Sequence, residues 1–305
     1  MTQVPHDTTE LAAIVRDAHA RRAAVRVEGR GAWSGSGTPA GRIRPAAQPV
    51  SLAQLTGVVA YVPGDLTLTV RAGTTLAELD AVTAEHAQWC PLLSWGDDNG
   101  TVGATFATAT GGPCAATLGR PRDIALGLEF VDGTGTGIRG GGRVVKNVAG
   151  FDLTRLLVGS FGSLGAITEV TVRLRARPSA DVTWCVSPVG PDGAARLAAI
   201  RLGAITPLAC EALADAAARA LGVPAGSALV RYGGNAALVA AARGIAQAAG
   251  TIADLDTAVW ARFRALDPRP RLLGDRPLEN RVSARIKQRF DPAGIMNPGV
   301  FGEEA

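Results

Sequence analysis

At 305 residues and 31.2 kDa the chain has the length of two domains, and it needs neither disulfides nor metals to complete a core. Hydrophobic residues make up 47% against 19% charged, which excludes a disordered chain, and no run of 18 or more uncharged apolar residues is present to span a bilayer. With 31 Lys plus Arg against 27 Asp plus Glu, the net charge of +4 is small and spread along the chain, so nucleic acid is not the expected partner.

Residues 1–10 lack a basic region followed by an apolar one, so no secretory signal is read and the cytoplasm is the expected compartment. Asp7 and Glu10 have capping-box spacing ahead of the apolar face Leu11, Ile14, Val15 and Ala18, predicting a helix over 8–20. Val25 and Val27 alternate with Arg26 and Glu28 in a short strand that ends in a glycine loop from Gly29. Strands follow at 58–62 and 66–71, then a helix over 76–87 capped by Thr75 and Glu78. A strand is expected at 124–131, a turn at 132–137, a helical segment at 152–158 and an alternating strand at 166–174. Beyond Arg177 and Pro178, alanine-rich helices are read at 192–202, 209–221 and 235–249, with strands at 181–186 and 226–232. A last helix over 278–290 precedes the turn Asn297, Pro298, Gly299.

Between 101 and 165 lie 15 of the 38 glycines, interleaved with threonine and serine. Glycine adds nothing to a core, so this density implies tight turns or a backbone that closely approaches a ligand. Three segments stand out. In the first, Gly29, Arg30, Gly31, Ala32, Trp33 and Ser34 follow a strand, so that successive N–H groups can form a nest for a diphosphate; alone, it reads equally as an ordinary turn. It has neither the Rossmann nor the Walker spacing, which removes support for nicotinamide and P-loop nucleotides. In the second, Gly100, Thr101, Val102, Gly103, Ala104, Thr105 and Thr108 leave room for a flat ring whose edge the hydroxyls can bond. The third runs from Gly159 through Gly165 and Ile167 to Glu169, a loop entering a strand.

The four cysteines, Cys90, Cys114, Cys185 and Cys210, are widely spaced, which excludes a local zinc or iron–sulfur ligand set, and no metal is expected. His6, His19 and His86 form no metal-binding or catalytic pattern. Only two cations are lysines, Lys146 and Lys287. Lys146 lies among glycines, where a cation could stabilise negative charge on a bound ring; the alternative is a solvated lysine in a hairpin. Arg276, Arg281, Arg285 and Arg289 read as a solvated helix face.

The order of these segments, together with Ala72, Gly73, Thr74, Thr75, Leu76, Ala77, Glu78 and Leu79, resembles the FAD-binding domain of the vanillyl-alcohol oxidase and para-cresol methylhydroxylase (PCMH) superfamily over about 10–178. Val145, Lys146, Asn147, Val148, Ala149, Gly150, Phe151 and Asp152, with the DPxGIMNPG pattern at 291–299, resemble more narrowly the FAD-binding subunits of bacterial glycolate oxidases. The fold this implies is α+β, with a two-subdomain PCMH-type FAD-binding domain over 1–178, a small α/β cap over 179–275, and a C-terminal helix and turn over 276–305 that return to the FAD domain. By position, the resemblance implies that the 29–34 loop holds the pyrophosphate of a non-covalent FAD and 100–105 its flavin side. It also implies that Asp123 precedes the central strand, and that Gly165 and Ile167 hold the cofactor through the backbone. Ala104 departs from the pattern where a second glycine is common, as does Val300 where a basic residue is common.

The activity implied is oxidation of glycolate, a 2-hydroxy acid, to glyoxylate. The partners implied are a homologous FAD-linked catalytic subunit and an iron–sulfur subunit, and any contact with the inner membrane face would run through them. A different class of reading, favoured by the missing histidines, is a non-catalytic electron-transfer or scaffolding flavoprotein subunit. UDP-N-acetylenolpyruvylglucosamine reductase, which shares the flavin domain, fits poorly, because neither Tyr61 nor Tyr232 is followed by arginine.

Overall fold

The computed structural model describes residues 1–32, 39–92, 94–96, 98–142, 152–188, 192–266 and 281–301. The chain opens with α1 (Thr8–Arg21), whose N-cap Asp7 accepts the Glu10 N–H, and continues into β1 (Val25–Glu28) and β2 (Gln48–Ser51), which pair in parallel. Next come β3 (Val58–Val62), β4 (Thr67–Arg71), α2 (Leu76–Ala84) and β5 (Gln88–Trp89). At Thr75 both bonds of the capping box are present. Short helices α3 (Val102–Ala107), α4 (Ala115–Leu118) and α5 (Pro121–Ile124) lead to β6 (Ala125–Asp132), β7 (Gly137–Gly141), α6 (Leu153–Leu157), β8 (Gly165–Arg173) and β9 (Arg175–Ala176).

Five of these strands form one antiparallel sheet in the order β3-β4-β8-β6-β7. One face buries Leu68, Val70, Leu128, Phe130 and Val170 against Phe106 of α3 and Leu157 of α6. Val131 and Ala166 pack instead with Leu11 and Val15 of α1 and with Val50 of β2. The glycine-rich β7, which follows the turn expected at 132–137, lies close against its partner: a Cβ on Gly127 of β6 would meet the Gly140–Gly142 backbone at 2.8–3.2 Å.

A second layer follows: β10 (Ala180–Pro188), α7 (Gly193–Leu202), β11 (Ala209–Ala212), α8 (Asp215–Leu221), β12 (Ala228–Gly234), α9 (Ala236–Ala249), β13 (Gly250–Leu255) and α10 (Val259–Leu266). Its sheet runs β11-β12-β10-β13 and carries Trp184, Val230 and Tyr232 under α7 and α9. The helix expected over 209–221 is corrected to strand then helix. Ala209 and Cys210 pair with Arg231 and Val230, so the sheet edge overrides alanine's helical preference until Asp215. Trp89, Cys114 and Leu118 pack with Leu213, Leu229 and Trp260, closing the two layers on each other.

Finally α11 (Arg281–Phe290) returns to the first sheet, where the Phe290 ring lies 5.9 Å from that of Phe130, and Met296 bridges Val25 in parallel. Among the described residues, no helix is long and apolar enough to cross a membrane.

Candidate functional site: a cavity at the end of the first strand

The cavity lies where β1, α3 and the start of β8 converge, and it is partly open to solvent. One wall is the chain leaving β1. Leu52 N donates to Glu28 O at 2.8 Å and Ser51 Oγ to Gly29 O at 2.9 Å, after which the backbone turns through Gly31 at φ +77°. A turn of this kind can present its peptide N–H groups to an anion.

The second wall is α3. Thr101 caps it by accepting the Ala104 N–H at 3.3 Å, while Val102 N and Gly103 N donate to Thr74 O and Ala72 O, each at 2.8 Å. The helix is thereby pressed onto the end of β4, so closely that a Cβ on Gly103 would lie 2.6 Å from the Ala72 Cβ. The third wall is the loop into β8. Gly159 N donates to Phe106 O at 3.0 Å and Phe161 N to Ala107 O at 2.8 Å, placing Gly162, Gly165 and Ile167 opposite β1.

Chemically the cavity has two parts. Gly29, Arg30, Gly31 and Arg26 offer peptide N–H groups and guanidinium charge; Arg26 Nε is buried, 3.3 Å from a Glu28 carboxylate oxygen and without a hydrogen-bond partner. Leu52, Ala72, Ala104, Ala107 and Val300 offer a shallow apolar surface without bulk. A diphosphate joined to flat rings fits that division.

Of the residues singled out in the sequence, Gly29, Arg30, Gly31, Ala32, Gly100, Thr101, Gly103, Thr108, Gly165 and Ile167 all line this cavity. Three sit elsewhere. Val102 is fully buried in the sheet core, Thr105 Oγ1 is turned back to Thr101 O at 3.1 Å, and Asp123 caps α5 by accepting the Arg120 N–H at 3.0 Å. Trp33, Ser34 and Lys146 fall outside the described residues.

Arg26, Phe161, Gly162 and Asn297 line the cavity without having been singled out as site residues. The NPG turn signalled Asn297, but only as punctuation. The histidines are engaged away from the cavity: His19 Nδ1 lies 2.9 Å from Gly133 O, and His86 meets Tyr61 edge to face at 5.1 Å.

Residues 2–141 match the FAD binding domain family. The glycolate oxidase subunit GlcE of Escherichia coli (strain K12) is 39% identical over 129 residues, 42% of this chain and 37% of the relative. The glycolate oxidase subunit GlcD of Bacillus subtilis (strain 168) is 35% identical over 132 residues, 43% and 28% of the two chains. A D-lactate dehydrogenase of Archaeoglobus fulgidus is 42% identical over 103 residues, 34% and 23% of the two. The chain thus matches well under half the length of each of these relatives. Among solved structures, an alkyldihydroxyacetonephosphate synthase superposes with a TM-score of 0.69 over 88% of this chain and 55% of its own, at 17% identity, a likeness of fold alone. The match over residues 2–141, a little under half of the chain, identifies FAD as the cofactor.

Proposed function

We propose that the protein is the FAD-binding subunit of a glycolate oxidase complex, oxidising a small 2-hydroxy acid, glycolate, to glyoxylate and passing electrons to an iron–sulfur partner subunit. The observation that carries the reading is the convergence of the Gly29–Ala32 turn, the N-terminus of α3 and the start of β8 on one cavity, in a chain similar to two glycolate oxidase subunits. FAD supplies the acceptor of a hydride equivalent. The chain's own part is to orient it: the turn after β1 and the guanidinium groups of Arg26 and Arg30 take the pyrophosphate, the Thr101 and Thr108 side of α3 takes the flavin, and the small apolar residues keep water from the ring faces. In this reading Lys146 stabilises the reduced, anionic ring. The four buried, unpaired cysteines provide no cluster ligand set, so the electron exit is assigned to a partner.

A second reading, an electron-transfer or scaffolding subunit whose homologous partner handles the substrate, is favoured by the histidines standing away from the cavity. Anaerobic titration of the FAD-loaded chain with glycolate separates the two. Bleaching of the flavin band supports a substrate site in this subunit. A band that ignores glycolate yet bleaches with dithionite refutes that site and leaves the second reading standing.

A further inference from the structure

We infer that Asn297 is a positioning residue that fixes the separation of the cavity's first and third walls, so that FAD affinity depends on the C-terminal turn. The inference rests on FAD being the occupant of the cavity. Asn297 is 4% exposed, stands at φ +43° in the left-handed region that asparagine tolerates, and itself lines the cavity. Its Oδ1 accepts the Val27 N–H at 2.7 Å, and its Nδ2 donates to Phe161 O at 2.7 Å and, more weakly, to Val27 O at 3.4 Å. Val27 lies two residues before the Gly29 turn, and Phe161 lies in the loop that enters β8, so one amide joins the strand feeding the pyrophosphate turn to the opposite wall. The space is kept for it: a Cβ on Gly162, which turns at φ +72°, would sit 2.5 Å from Nδ2.

The turn that presents Asn297 is itself locked. Asp291, 2% exposed, accepts Ile295 N at 3.0 Å and Met296 N at 2.8 Å and pairs with Lys287 Nζ at 2.7 Å. Lys287 Nζ also donates to Ser163 O at 2.7 Å, pinning the same loop two residues further on. Such a clasp leaves no slack. Removing the amide leaves the Phe161 carbonyl without its donor and frees the two walls to drift apart, which an adaptable pocket could absorb and a fixed one cannot.

The test compares FAD binding by flavin fluorescence, with FAD alone as the probe, in the full chain and in Asn297→Ala and Asn297→Asp, alongside melting temperatures with and without FAD. For Asn297→Ala, Kd is expected to rise at least about tenfold and the FAD-induced rise in melting temperature to shrink. Asn297→Asp supplies a readout that a purely structural role would not move. Its carboxylate faces the Phe161 and Val27 carbonyl oxygens, whereas its protonated form can again donate to one of them, so its FAD affinity should recover as pH falls from about 8 toward 5. The charged groups carried by the cavity and the clasp are Arg26, Glu28 and Arg30 on the β1 side and Lys287 and Asp291 on the other. All are present in the wild type, whose pH profile is the reference.

Unchanged Kd in both variants, or a lower apo melting temperature with Kd unchanged, would overturn the inference. Should Asn297→Ala fail to fold, the pH profile of Asn297→Asp decides, a flat profile overturning it. A wild-type chain that takes up no FAD would overturn the cofactor reading beneath it, whatever the variants do.

Discussion

Replacing Arg264 should loosen the second layer from the first. The side chain is 3% exposed at the end of α10, where Nη1 donates to Ser94 O at 2.9 Å and Nη2 to Asp98 Oδ1 at 2.7 Å. Asp98 in turn accepts the Ala77 N–H at 3.0 Å through its carbonyl, at the first turn of α2. Methionine keeps much of the apolar stem and removes the cost of burying a charge whose Nε has no partner. It leaves the Ser94 carbonyl without a donor, at about 1–3 kcal/mol. The Asp98 carboxylate is 46% exposed and rehydrates, so the ionic part is worth under about 1 kcal/mol. The net expectation for Arg264→Met is a loss of about 2 kcal/mol, or about 3 °C in melting temperature followed by tryptophan fluorescence. Asp98→Ala should cost at least as much, because it strands a buried guanidinium. The double variant should cost no more than Arg264→Met alone, since without the arginine Asp98 is an ordinary surface carboxylate. Strict additivity of the two losses, or a neutral Arg264→Met, would refute the account of Arg264 as the tie between the layers.

Three further outcomes are expected. Gly103→Ala must push α3 off the Ala72 backbone, whose O would lie 3.0 Å from the new Cβ, so FAD binding measured by fluorescence should weaken along with thermal stability; wild-type affinity would show that α3 does not form the flavin wall. Glu169 lies across from Glu129 in the β6–β8 register, and burial, then that like charge, raise its pKa. The fold therefore holds the protonated form better than the unfolded chain does, and stability falls as pH rises through the raised folded pKa; Glu169→Gln should raise the melting temperature at about pH 8 with a gain that fades toward pH 4, and a constant gain would refute this. Burial pushes the Cys90 thiol up to about 12 and the Cys114 thiol up to about 11, so neither should react with a disulfide reagent in the native protein at about pH 8, whereas all four cysteines should react in denaturant. Prompt native labelling of either residue would contradict its burial.

Local chemistry made much of this molecule legible in its sequence. The helices α1 and α2 announce themselves through Asp7 and Thr75, because a cap is satisfied within four residues. The glycine segments point to the cavity because a backbone that must approach a ligand has to omit side chains. The signal failed where a partner distant in sequence decides the outcome. Thr101 with Val102, Thr105 and Phe106 carries a helical pattern that the surrounding small residues obscured. The 209–212 strand exists only because β12 lies beside it. Asn297 was seen as part of a turn, but nothing local reveals that its partners are Val27, 270 positions earlier, and Phe161, 136 positions earlier.

The parallel bridge between Val25 and Met296 also sets a timetable. One edge of β1 pairs with β2 early in synthesis, but the other stays open until Ile295 O can accept the Val25 N–H at 2.9 Å and Asn297 N can donate to Val25 O at 3.0 Å. At about 5–20 residues per second, the 270 residues separating Val27 from Asn297 take roughly 15–50 s to make. Throughout that interval the nascent chain displays an unpaired strand edge next to an unfinished cavity, the kind of edge that recruits other chains. Closing that edge is therefore among the last steps by which the fold shields its own first strand.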